Sequence, residues 1–242
     1  MDEVTGRGSD RDDARLFRIA GVAGIVVALC YPIIVALYVL AGTDMPTDAG
    51  TGEAWLSYLS GNAGAWWAIV GLSVFSDVLW IAVAWGVYVA LRSVDRTLAL
   101  VGSALLVLFV VLELAVSWPS YGVLIMLSGD LATATAEQRD GILSAAGFAG
   151  AILSSPLPPF YAILVPALGQ ITIGTVMLKG GPFARPTAFL ALMAGVLGVV
   201  SVLGGLAWEP LGQVIILGSL LAAVWFLLVG LRLWRLGRKA TR

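Results

Sequence analysis

The sequence predicts an all-α membrane protein: a six-transmembrane-helix bundle with both termini cytoplasmic and a helical outer loop between the third and fourth spans. Three observations predict it. First, 60% of the 242 residues are hydrophobic and only 12% are charged, and the mean hydropathy is +0.96. A soluble domain carries about 25% charged residues, so this chain has too little polar surface to clothe a globule in water, and too many apolar residues for a disordered one. Second, six apolar runs, at residues 19–41, 66–91, 98–126, 160–178, 187–207 and 211–231, reach the length of about 20 helical residues that crosses a bilayer. They are too long and too continuous for the alternating strands of a membrane β-barrel. Third, the cations segregate. Arg7, Arg11, Arg15 and Arg18 precede the first span. Arg92 and Arg96 join the second to the third, and Lys179 and Arg185 join the fourth to the fifth. Arg232, Arg235, Arg238, Lys239 and Arg242 follow the sixth, leaving Arg139 alone on the opposite side out of 14 cations. The positive-inside rule then places both termini in the cytoplasm, requires an even number of spans, and fits a multi-pass protein of the cytoplasmic (inner) membrane.

Each element follows from its residues. Residues 1–16 mix Asp, Glu, Arg and Gly and are expected to form a disordered cytoplasmic tail, ahead of a six-helix domain at 17–232 and a basic cytoplasmic tail at 233–242. The first span is too long for a signal-peptide core and reads as uncleaved. Its Cys30 and Tyr31 adjoin Pro32, and Pro32 with Pro166 of the fourth span reads as ordinary helix kinking rather than an inverted repeat. The first outer loop, 42–65, carries Asp44, Asp48 and Glu53 without a cation, and its stretch from Ala54 to Leu59 fits a short interfacial helix. Trp55, Trp66, Trp67, Trp118 and Trp208 fall near the outer boundary, as an aromatic belt would. In the third outer connection, Thr135-Ala136-Glu137-Gln138 is a capping box that starts a helix. Residues 141–155 are too short to span and read as a surface or half-inserted helix that stops at Pro156, Pro158 and Pro159. The fifth span shows small residues at Ala191, Ala194, Gly195 and Gly198, spacing that lets helices approach closely. Packing within the bundle is the favoured use, a homo-oligomer the other. Trp85 and Trp225 read as lipid-facing or core bulk, and Glu209 as an acid in the turn before the sixth span.

The composition also excludes chemistry. With no histidine and Cys30 as the single cysteine, Cys/His zinc sites, histidine-ligated haem, iron–sulfur clusters and intrachain disulfides are ruled out, and no cofactor or metal is expected. A net charge of −1 gives no electrostatic basis for nucleic-acid binding. There is no nucleophile elbow, no phosphate loop, no row of membrane arginines and no lysine in the sixth span to hold retinal. The chain does not read as an enzyme.

Two carboxylates remain: Asp77 in the second span and Glu113 in the third. A membrane acid costs a few kcal/mol to insert, so it faces the bundle interior or a cavity. Asp77 lies 15 residues before Arg92 and Glu113 lies 17 residues after Arg96, so both sit roughly 22–26 Å from that turn, beyond the midplane. On the second span, Ser73, Ser76, Asp77 and Trp80 share one helical face; on the third, Glu113, Ser117 and Ser120 do. Facing each other, these stripes would line an outward-opening polar recess in which two carboxyls could share a proton. Pro119 and Ser120-Tyr121-Gly122 would loosen the helix there. Gln170, with Thr172 and Thr175, could extend the path inward, though packing is the more ordinary use for them. The plain alternative for the acids is interhelical hydrogen bonding without a ligand.

Three stretches resemble a family of bacterial six-helix integral membrane proteins described as domain of unknown function 4386. They are Ala84-Trp85-Gly86-Val87-Tyr88-Val89-Ala90-Leu91-Arg92, Leu112-Glu113-Leu114-Ala115, and Gly180-Gly181-Pro182-Phe183-Ala184-Arg185-Pro186. The resemblance covers nearly the whole chain in span count and loop length. It implies a fold and a membrane location and no activity. The family pattern often has an arginine three residues before the glutamate; here that position is Val110, which removes an ion-pair partner for Glu113. Two functions stay open. One is a proton-coupled or small-molecule carrier using Asp77, Glu113, Ser73, Ser76, Ser117 and Gln170. The other is a non-catalytic membrane protein that binds a lipid or a partner subunit, with the acids as packing glue. A lipid-modifying enzyme is the weakest reading.

Overall fold

The computed structural model describes residues 3–41 and 52–239, with side chains from residue 12 onward. Asp44 and Asp48 of the first outer loop, and Arg242, lie outside the described residues. The described residues fold into eight helices: α1 (Glu3–Ala41), α2 (Gly52–Ser60), α3 (Ala63–Leu91), α4 (Arg96–Leu131), α5 (Ala136–Leu153), α6 (Pro159–Lys179), α7 (Arg185–Ala207) and α8 (Glu209–Lys239). There is no strand among the described residues. Six of the eight, all but α2 and α5, are long and apolar enough to cross a membrane. The protein is a multi-pass, all-α integral membrane protein.

The chain divides into two compact units. The first comprises residues 1–32, 76–110 and 163–242; the second comprises 33–75 and 111–162. In the first unit, glycines set the helix contacts. A Cβ on Gly21 would strike the Trp234 backbone, and one on Gly230 would strike the backbone of Gly21 and Ile25, so α1 and α8 touch backbone to backbone. Gly86 brings α3 onto Ala20 of α1, and Gly102 and Gly169 bring α4 onto α6. Gly195 meets the Ala167 carbonyl, so the small-residue face of α7 is spent on α6, within the bundle as expected. With lipid outside, close packing of this kind replaces the hydrophobic effect as the force that holds helices together.

In the second unit, α2 packs on α4 and α5 around Trp55, Leu56, Leu59, Trp66, Ile69, Leu124 and Ile125. Gly52 and Gly150 permit this: a Cβ on Gly52 would collide with the α5 backbone, and one on Gly150 with the Trp55 ring. Helix α5 starts at the expected capping box, with both the Thr135 and Gln138 side-chain bonds formed.

Three expectations need correction. The N-terminal tail is not disordered up to residue 16, because α1 is already helical and Ala14 is buried against Gly237. Beside it, Asp13 pairs with Arg92 at 2.7 Å. Residues 233–239 are the last two turns of α8 rather than a tail, because Leu233 and Gly237 alternate with the cations and are buried. Of the tryptophans expected in an aromatic belt, Trp67 and Trp208 are 48% and 63% exposed, but Trp55 and Trp66 are core residues. Of the remaining pair, Trp225 is buried and Trp85 is exposed. At the turn between α3 and α4, Asp95 caps α4 through the Leu98 amide (3.0 Å) and pairs with Lys179 (2.8 Å).

Candidate functional site

All six candidate residues are buried. Asp77 and Glu113 are 4% and 5% exposed, and Ser73, Ser76, Ser117 and Gln170 are equally enclosed. Helical spacing therefore identified the inward faces of α3 and α4 correctly, and neither acid is turned to lipid. Ser73, Glu113 and Ser117 belong to the second unit, and Ser76, Asp77 and Gln170 to the first.

In the second unit the site is built on irregular backbone. Residues Glu113–Ser117 form a π-turn, closed by the Trp118 N–H on the Glu113 carbonyl. Pro119 explains it: a proline ring clashes with the carbonyl four residues earlier, and a turn with one extra residue relieves the clash. The same device recurs in α6, where Pro159–Leu164 is a π-turn just ahead of Pro166. The sequence signalled loosening at Pro119 but not its form.

The two π-turns meet through side chains. The Ser117 hydroxyl donates to Glu113 Oε1 at 3.2 Å, and its oxygen lies 3.1 Å from the Tyr161 hydroxyl. A serine has one proton to give. With that proton on Glu113, Tyr161 must be the donor to Ser117. The chain Tyr161–Ser117–Glu113 thus reaches the carboxyl group. If Glu113 is protonated and donates instead, every bond in the chain reverses.

An aromatic wall occupies the same unit. Trp66 stacks on Tyr121 at 4.9 Å, Tyr38 and Tyr58 meet the Trp66 ring edge-on, and Trp55 and Trp118 contact Tyr121. The indole nitrogen of Trp66 is buried and has no hydrogen-bond partner among the described residues. Sequence reasoning missed Tyr161 and this wall. Tyr161 follows two prolines at a span end, where an aromatic reads as a boundary residue, and nothing local signals its contact with Ser117.

In the first unit, Asp77 lies one turn from Trp80, whose ring sits 4.4 Å from Phe226 and 5.1 Å from Phe109. The Trp80 and Trp225 indole nitrogens and the Ser103 hydroxyl are buried without a partner among the described residues. Thr172 and Thr175 do not join Gln170. Thr172 is half-buried and Thr175 exposed, and their hydroxyls return to the Leu168 and Ile171 carbonyls. Among the described residues no cluster of acids and cysteine could hold a metal ion.

Comparison with protein-family models, curated proteins and solved structures gives no match.

Proposed function

We propose that this integral membrane protein is a proton-coupled carrier of a small molecule, with Glu113 as its proton-exchanging group. The observation that carries the reading is the hydrogen-bond chain from half-buried Tyr161 through Ser117 to buried Glu113. A reversible chain of hydroxyls ending on a membrane-embedded acid is the arrangement a proton relay needs. The π-turns favour it as well, because such turns are weak points in a helix and cluster at functional sites. Asp77 and Gln170 are further buried polar side chains, both in the first unit. The family resemblance agrees with the fold and adds no activity.

The packing-glue reading has its own support. Ser120 and Ser128, like the two threonines of α6, bond carbonyls of their own helix and leave few hydroxyls directed at a ligand. Proton flux into liposomes under an imposed pH gradient separates the two. A carrier shows flux that Glu113→Gln abolishes. Equal leak in wild type and variant leaves only the structural role.

A further inference from the structure

The first unit carries a second feature, far along the chain from the buried acids. A recess of about 490 Å³ lies between the turn at Pro182–Ala184, Thr187 at the start of α7, and the last turns of α8. Its walls differ in character. Phe183, Leu228 and Leu231 are apolar, while Arg232 and Arg235 supply the polar side. On α8, Leu228, Arg232 and Arg235 stand at i, i+4 and i+7, so one helix face changes from apolar to cationic along its length. The Arg232 Nε donates to the Pro182 carbonyl, which fixes the guanidinium at the edge of the recess and leaves its terminal nitrogens for another acceptor. A second concavity of about 400 Å³, lined by Arg232, Arg235, Arg238 and Lys239, continues from the same two arginines.

Among the described residues no acid lines either concavity. Asp13 pairs with Arg92 and Asp95 with Lys179, so these two carboxylates are engaged elsewhere. The rise from Leu228 to Arg235 is about 10 Å, comparable with the headgroup layer of one leaflet, about 5–8 Å, plus the first carbons below it. Guanidinium groups bind phosphate oxygens in paired hydrogen bonds.

We propose that this recess binds an anionic phospholipid, its phosphate on Arg232 and Arg235 and the upper part of an acyl chain on Phe183, Leu228 and Leu231. A basic pocket between helices at a membrane boundary is suited to such a headgroup. The apolar wall selects a lipid over a soluble phosphate, which would use only the cationic half. This site is independent of the carrier reading.

The test uses the full chain in neutral detergent, titrated with phosphatidylglycerol, phosphatidylcholine or inorganic phosphate, with binding read by native mass spectrometry and by the shift in melting temperature. Phosphatidylglycerol should bind and raise the melting temperature; phosphatidylcholine and phosphate should not. Arg235→Gln, at an exposed position, should weaken phosphatidylglycerol binding about fivefold, and Arg232→Gln with Arg235→Gln about 25-fold, from the usual contribution of a cation at a charged membrane surface. Arg139→Gln, on α5, should bind as wild type does. Wild-type affinity in Arg235→Gln, equal binding of phosphatidylcholine, or equal binding of inorganic phosphate would each overturn the proposal.

Discussion

Replacing Gly230 by alanine tests the backbone contact between α1 and α8. A Cβ at this position would lie 2.8 Å from the Gly21 carbonyl oxygen and 2.8 Å from the Ile25 nitrogen. Ordinary contact begins at 3.4 Å, so the helices must part by about 0.6 Å. The nearest atoms are all backbone, and no side chain can swing aside. Overpacking of this size costs about 1–3 kcal/mol, partly offset by the helix preference of alanine over glycine, about 1 kcal/mol. Gly71 supplies the control, because a Cβ there meets nothing within 4 Å. Gly71→Ala carries the propensity gain alone, and the difference between the two variants isolates the steric cost. Unfolding in mixed micelles, titrated with sodium dodecyl sulfate and followed by circular dichroism, should find Gly230→Ala less stable than Gly71→Ala by about 1–3 kcal/mol. Equal stability of the two variants would refute the close approach.

Three further outcomes follow from the same structure. Trp66→Ala should lose about 3–5 kcal/mol of stability, as a fully buried aromatic does, whereas Trp66→Phe should lose much less, since the indole nitrogen has no partner among the described residues to forfeit; near-equal losses in the same unfolding assay would contradict this. Lys179, followed by the Leu98 amide, holds the Asp95 carboxyl below its ordinary range. A depressed pKa adds stability that is complete above the ordinary carboxylate pKa and fades as pH falls through the folded value, so Asp95→Asn should be less stable than wild type at pH 7 and converge with it in acid. A gap that stayed constant down to acid pH would be inconsistent with this. In the flux assay, Tyr161→Phe should slow proton entry without abolishing it, because the carboxyl remains while the outer link of the relay is gone; an unchanged rate would remove Tyr161 from the path.

Much of the fold was legible because hydropathy and charge are recorded locally. The six spans, the tight turn at Arg92 and Arg96, and the capping box at Thr135 all depend on residues close in sequence. The inward faces of Asp77 and Glu113 were legible for the same reason, through helical spacing. What failed was whatever depends on contacts distant in sequence. Ala14, Leu233 and Gly237 sit among charges and look solvated, yet they are buried because α1 and α8 run together beyond the apolar spans. Trp55 and Trp66 have the composition of a membrane belt, and only the packing of α2 on α4 and α5 makes them core. Tyr161 bonds to a residue 44 positions away, and no local pattern encodes that.

The central claim is that Glu113 exchanges a proton while the protein stays folded in its membrane. Infrared difference spectroscopy of the reconstituted protein between acid and neutral pH reads that event directly. A carboxyl C=O band should appear on acidification, vanish in Glu113→Gln, and shift in frequency in Ser117→Ala, where the hydroxyl bonded to the carboxyl is removed. Identical difference spectra for wild type and Glu113→Gln would contradict the account.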